Sequence, residues 1–125
     1  RNAEATRYPI ISTSAIYGGS NSASDAELDG VEFSEVPWVL GAINESTIPT
    51  RAQVVSLRNA SGPAARLFAF GIDAYRLLPH LEWLERNPGR PVIGATGALS
   101  ADANGRIRRE PAWARYVGAT PRKVD

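Results

Sequence analysis

The chain has 125 residues, enough for one domain with a modest core. Its 43% hydrophobic and 22% charged content fits a globular protein and excludes a disordered one. A net charge of +1 provides no global field for nucleic acid or an anionic membrane, and the lack of cysteine removes disulfides, thiolate metal sites and cysteine nucleophiles.

No apolar run reaches the 18 residues or so that a membrane span needs, and no signal peptide is visible. The chain starts at Arg1 and contains no methionine, so it reads as part of a longer product whose targeting or lipid-attachment segment would lie upstream. Residues 1–7 are polar and are expected to fray.

Residues 8–17 have strand composition, with Pro9 limiting the start. Gly18 to Ser24 is a loop, Asp25 to Leu28 suits one helical turn, and Val31-Glu32-Phe33 begins a strand that can run to Val36. Pro37 to Leu40 opens a short helix or an extended apolar segment. Residues 41–62 are polar and irregular apart from Ala52 to Leu57, which leans towards helix.

A long helix follows. Pro63 suits its first turn, with Ser61 or Gly62 as N-cap. Leu67, Gly71, Ala74, Leu78, Leu81 and Leu84 recur at helical spacing, and Phe68, Ile72 and Tyr75 widen the stripe. Gly71 inside a helix costs about 1 kcal/mol relative to alanine. Close approach of a sheet to the Gly71–Ala74 edge is the expected return. Pro79 predicts a kink or break, and Asn87-Pro88-Gly89 a firm stop.

Beyond the helix, residues 91–100 read as one strand punctuated by glycines. Asp102 to Gly105 forms the turn of a hairpin, Arg106 to Arg109 starts the returning strand, and Ala112 to Val117 alternates like another strand with Trp113 on one face.

Candidate chemistry is sparse. His80 is the only histidine, it sits beside Pro79 on a structural helix, and no G-x-S-x-G elbow accompanies it. One histidine without cysteines also gives no metal site and implies no cofactor. The pairs Asp25/Glu27 and Glu32/Glu35 read as solvated loop and strand carboxylates. Asp73 lies among apolar residues and needs a partner, either Arg76 or Arg66 in an ion pair or a helix-to-loop hydrogen bond. Hydroxyls of Thr13 and Ser14, with Tyr17, stand near a strand end where α/β folds bind ligands. Between residues 104 and 125, six cationic residues face two acids. Arg106, Arg108 and Arg109 in this stretch are the candidates for meeting an anionic partner, although no nucleic-acid motif accompanies them.

The helix Ala65-Arg66-Leu67-Phe68-Ala69-Phe70-Gly71-Ile72-Asp73-Ala74-Tyr75 and the hairpin Gly94-Ala95-Thr96-Gly97 to Ile107 resemble the last part of type I periplasmic-binding-protein folds. Ser12-Thr13-Ser14 with Tyr17, Asp29 to Phe33 with Pro37-Trp38, and Trp113-Ala114-Arg115-Tyr116 extend the likeness. This ordered set resembles the LppC/LpoA lipoproteins, activators of bifunctional penicillin-binding proteins. The resemblance implies an α/β fold in which residues 1–125 form the C-terminal part of a periplasmic-binding-protein-like domain, with the long helix and hairpin as its parts. It also implies a lipid-anchored protein at the periplasmic face of the outer membrane. The implied activity is non-enzymatic, through docking on the penicillin-binding protein and contact with peptidoglycan. Exchange of strands between copies is a further expectation. The alternative is a periplasmic binding protein for an amino acid or cell-wall fragment, held by Thr13, Ser14 and Tyr17.

Overall fold

The structure, a computed structural model, describes residues 8–54, 56–57 and 60–124. The expected fraying of residues 1–7 therefore concerns a segment outside the described residues, as does Val55 of the Ala52–Leu57 stretch. Two small sheets share one strand run and are tied together by a central helix. The first sheet has the order β1-β2-β6-β7, from β1 (Ile11–Ser12), β2 (Glu32–Glu35), β6 (Ala112–Val117) and β7 (Thr120–Val124). β1 runs parallel to β2; the other pairs are antiparallel. The second sheet is β3 (Val92–Ile93), β4 (Ala98–Ala101) and β5 (Ile107–Glu110), antiparallel throughout. β5 passes into β6 through Pro111 alone, which lacks an N–H and lets the strand leave one sheet for the other.

α1 (Arg51–Val54) is a single turn that starts one residue earlier than expected. The long helix is interrupted as Pro79 requires. α2 (Ala65–Leu77) ends in a 3-10 turn over Leu78–His80, and α3 (Leu81–Arg86) follows, with Asn87 as its C-cap. Among the described residues no helix is long and apolar enough to cross a membrane.

The buried face of α2 is not the expected leucine stripe. Ala65, Ala69 and Asp73 are buried, whereas Leu67 is 75% exposed and Leu78 65%. Gly71 is exposed and a Cβ built there would meet nothing within 4 Å, so the close approach expected of it does not occur. Two apolar faces compete on this helix. Small Ala65 and Ala69 admit the sheets closely, and the partners of Arg66 and Asp73 fix the rotation. Leu84, on α3, is fully buried as its place in the stripe suggested.

Phe33, Trp38, Val39, Ala114 and Tyr116 lead the core on the inner side of the first sheet. Tyr17, Phe33 and Tyr116 form an aromatic cluster with centroids 5.3–6.5 Å apart. The Trp38 ring stacks on Phe68 at 5.3 Å, and its Nε1–H donates to the Pro49 carbonyl at 2.6 Å. The residues after β2 turn tightly, with Ala42 N–H donating to the Pro37 carbonyl at 2.9 Å.

Other expectations need adjustment. The strand at 8–17 contracts to Ile11–Ser12, because a 3-10 turn over Ser14–Ile16 redirects the chain. The stretch 91–100 is two strands, β3 and β4, folded back around residues 94–97. The helical turn near Asp25 is a 3-10 turn over Ala23–Leu28 with a Ser22–Asp25 capping box. β6 alternates as read, with Ala114 and Tyr116 inward and Trp113 48% exposed. β7, which follows a tight turn at 118–119, had no expectation.

Candidate functional site

An open cleft of about 590 Å³ lies between the 3-10 turn after β1, the end of β2, the first turns of α2, and β5. Ser14, Ser34, Glu35, Arg66, Phe70 and Arg109 are among the residues that line it. Its floor is an ion pair. β2 alternates so that Phe33 and Glu35 both turn inward, leaving Glu35 1% exposed. A carboxylate there requires a partner, and Arg66 in the first turn of α2 provides one. Arg66 Nε–H donates to Glu35 Oε1 at 3.0 Å and Nη2–H to Oε2 at 2.6 Å. Nη2 also reaches the carbonyls of Ser14 and Tyr17, both at 2.7 Å. The Val36 N–H donates to Glu35 Oε1 at 2.8 Å. These bonds to Glu35 raise the Arg66 pKa above its ordinary value, with burial opposing. Glu35 is thus no solvated strand carboxylate, while Glu32, one face over, pairs with Arg115 at the surface.

A second clamp holds α2 to the hairpin. Ala95 N–H donates to Asp73 Oδ1 at 2.6 Å; Thr96 N–H and Oγ1–H donate to Oδ2 at 2.8 and 2.6 Å. Of the two arrangements expected for Asp73, the helix-to-loop hydrogen bond is the one formed. Arg76 turns elsewhere, to the Ile93 carbonyl at 3.0 Å and Thr47 Oγ1 at 2.8 Å. The glycines of the hairpin serve this clamp. A Cβ at Gly94 would stand 2.7 Å from Asp73 Oδ2, and one at Gly97, whose φ is 138°, would stand 2.1 Å from the Glu110 carbonyl oxygen. The Asp73 clamp fixes where β5 stands relative to α2, and so sets the width of the cleft.

The structure brings one residue from each expected group to this cleft. Ser14 lines it from the 3-10 turn and Arg109 from β5, with its guanidinium carbon 5.5 Å from the centre of the Phe70 ring. Tyr17, in contrast, is a core residue whose hydroxyl donates to Asn21 Oδ1 at 3.2 Å. Thr13 is exposed outside the cleft, and its carbonyl accepts from Ile16 N–H. Arg108 sits beside Asp102 at 3.4 Å, and Arg106 donates its backbone N–H to the same carboxylate at 3.0 Å. Those backbone bonds from Arg106 and Asn104 hold the Asp102 pKa below the ordinary carboxylate range. Ser34, Glu35, Arg66 and Phe70 were not among the expected site residues. Glu35 had one readable signal, the inward parity it shares with Phe33.

Residues 1–118 match the family model of the LppC lipoproteins. The chain is 30% identical over 112 residues to the penicillin-binding protein activator LpoA of Escherichia coli K12, covering 84% of this chain and 16% of that protein. It is 32% identical over 111 residues to LpoA of Pasteurella multocida, covering 83% and 19%. The solved C-domain of Haemophilus influenzae LpoA, described as a regulator of PBP1A, superposes with a TM-score of 0.74 at 26% identity, over 98% of this chain and 38% of that one. A full-length LpoA structure from the same organism gives 0.74 at 27% identity, over 96% and 22%. The chain therefore spans under a fifth of the length of the two sequence relatives. With the family match covering nearly every residue, this chain belongs to the LppC lipoprotein family.

Proposed function

We propose that this chain is part of a non-catalytic regulator of peptidoglycan synthesis, which activates a bifunctional penicillin-binding protein by docking against it. The observation that supports the reading is the likeness to LpoA, in sequence over 84% of the chain and in fold over 98%. The site of action is the periplasmic face of the outer membrane, with a lipid anchor elsewhere in the protein and peptidoglycan close at hand. The docking surface we favour is the hairpin of β4 and β5. All four residues of β5 are exposed, so neither face of this strand is committed to a core. Arg106 in the turn before it, with Arg108 and Arg109 in the strand, gives this hairpin an excess of positive charge that suits an acidic patch on the synthase.

The test is a binding titration of the chain against a purified bifunctional penicillin-binding protein at two salt concentrations. Saturable binding that weakens with salt is expected, and the Arg106→Glu/Arg108→Glu/Arg109→Glu variant should bind at least about tenfold more weakly. Absence of binding at tens of micromolar would overturn the docking reading. Binding by the triple variant as tight as wild type would remove the hairpin from the interface.

A further inference from the structure

The cleft floor carries charges that the fold uses up and one that it does not. Glu35 and Arg66 satisfy each other. Arg109 is left over: among the described residues its side chain forms no ion pair, and its guanidinium lies on the face of Phe70, which positions a cation without neutralising it. Further donors stand nearby. Among the described residues the bonds of Arg66 all run from Nε and Nη2, leaving Nη1 uncommitted. Ser14 also lines the cleft, and among the described residues its hydroxyl takes part in no hydrogen bond. The hydroxyl of Thr96, by contrast, is spent on Asp73. Beside these donors Leu67, Phe70 and Ile107 expose 75%, 52% and 42% of their surface. A cavity of about 590 Å³ falls within the range of roughly 300–1,000 Å³ usual for small-molecule sites.

We propose that this cleft binds a small organic monoanion, a carboxylate joined to an uncharged apolar body. One uncompensated guanidinium matches one negative charge. A dianionic phosphate ester would set its second charge close to Glu35, where repulsion disfavours it. The carboxylate lies against Arg109, Arg66 Nη1 and the Ser14 hydroxyl, and the apolar body covers Leu67, Phe70 and Ile107. The cleft also discriminates against zwitterions. An ammonium group needs an acceptor, and the only carboxylate among the described residues lining the cleft, Glu35, is buried and already bonded by Arg66 and the Val36 N–H. An N-acylated amino acid or amine-free acid therefore binds, and a free amino acid does not. This site goes beyond the docking reading and does not depend on it.

The experiment is a ¹H–¹⁵N titration of the chain with N-acetyl-leucine, run in parallel with leucine, N-acetyl-leucinamide and phenyl phosphate. N-acetyl-leucine is expected to give saturable shifts at the amides of residues 34–36, 66–70 and 107–109. Each of the other three compounds should bind at least about tenfold more weakly. Arg109→Ala should lower the affinity for N-acetyl-leucine by about tenfold or more, and Arg109→Lys should restore part of it. The exposed Arg109 side chain can be removed without opening the core, and the spectrum of each variant reports its fold directly. The proposal is overturned by absence of saturable binding up to about 10 mM. Equal affinity for leucine or the amide, or undiminished binding by Arg109→Ala, overturns it as well.

Discussion

Removing the Asp73 side chain is the sharpest probe of how this fold is held. Asp73 is 3% exposed, and its two carboxyl oxygens accept three hydrogen bonds from Ala95 and Thr96. In Asp73→Ala all three donors lose their partner inside the protein. A stranded buried donor costs about 1–3 kcal/mol, so the variant should lose about 4 kcal/mol after partial relaxation. That is a large share of the roughly 5–15 kcal/mol by which a domain is stable. Asp73→Asn keeps one acceptor oxygen but turns an amide donor towards another donor, and about 2 kcal/mol is expected. Thr96→Val deletes only the hydroxyl donor and should cost about 1 kcal/mol. Urea unfolding followed by tryptophan fluorescence measures all three, provided the denaturant slope is unchanged. Hydrogen exchange at the Ala95 and Thr96 amides should lose protection in Asp73→Ala and keep it in Thr96→Val. An Asp73→Ala loss below about 1 kcal/mol, or Asp73→Asn indistinguishable from wild type, would refute the clamp.

Three further outcomes are expected. Gly71→Ala should raise stability by about 1 kcal/mol, because the exposed helical position has room for a methyl group and alanine is the better helix former; a loss in thermal or urea unfolding would contradict the solvent-facing placement. Glu35→Ala should cost about 3 kcal/mol by leaving Arg66 without its carboxylate, and a cost under about 1 kcal/mol would deny the pair its role in anchoring α2. The Tyr116 hydroxyl is buried without a partner among the described residues, so Tyr116→Phe should match or exceed wild-type stability by about 1 kcal/mol. Burial, then the charges of Asp25, Tyr17 and Glu35, raise the Tyr116 pKa. A folded-state pKa above the unfolded one gives a contribution complete below pH of about 10 and lost as pH rises towards the folded value. Wild type should therefore weaken in that alkaline window and Tyr116→Phe should not; identical alkaline profiles would exclude Tyr116 as the cause.

Local chemistry was legible where a residue's own geometry dictates the outcome. Pro79 interrupts the helix because it removes an N–H, and Asn87-Pro88-Gly89 ends it. Gly105, with a φ of 74°, makes the hairpin turn, and alternation in 112–117 sorts Tyr116 from Trp113. The ordered motifs also pointed to the family. Of the site, Ser14 and Arg109 were in reach of sequence reasoning as strand-end hydroxyl and exposed arginine, and their meeting across one cleft was not.

What tertiary structure decided was every choice between equivalents. α2 and the 3-10 turn after it have an apolar face with Leu67 and Leu78 and another with Ala65 and Ala69, and hydrophobic spacing does not rank them. The second wins because small side chains let the sheets approach while Arg66 and Asp73 find acceptors and donors there. Those partners lie 31 and 22 residues away in the chain, beyond any local pattern. The break of 91–100 into β3 and β4 follows from the same cause. Its turn is stabilised by a carboxyl group delivered from α2, which no property of the turn's own residues announces.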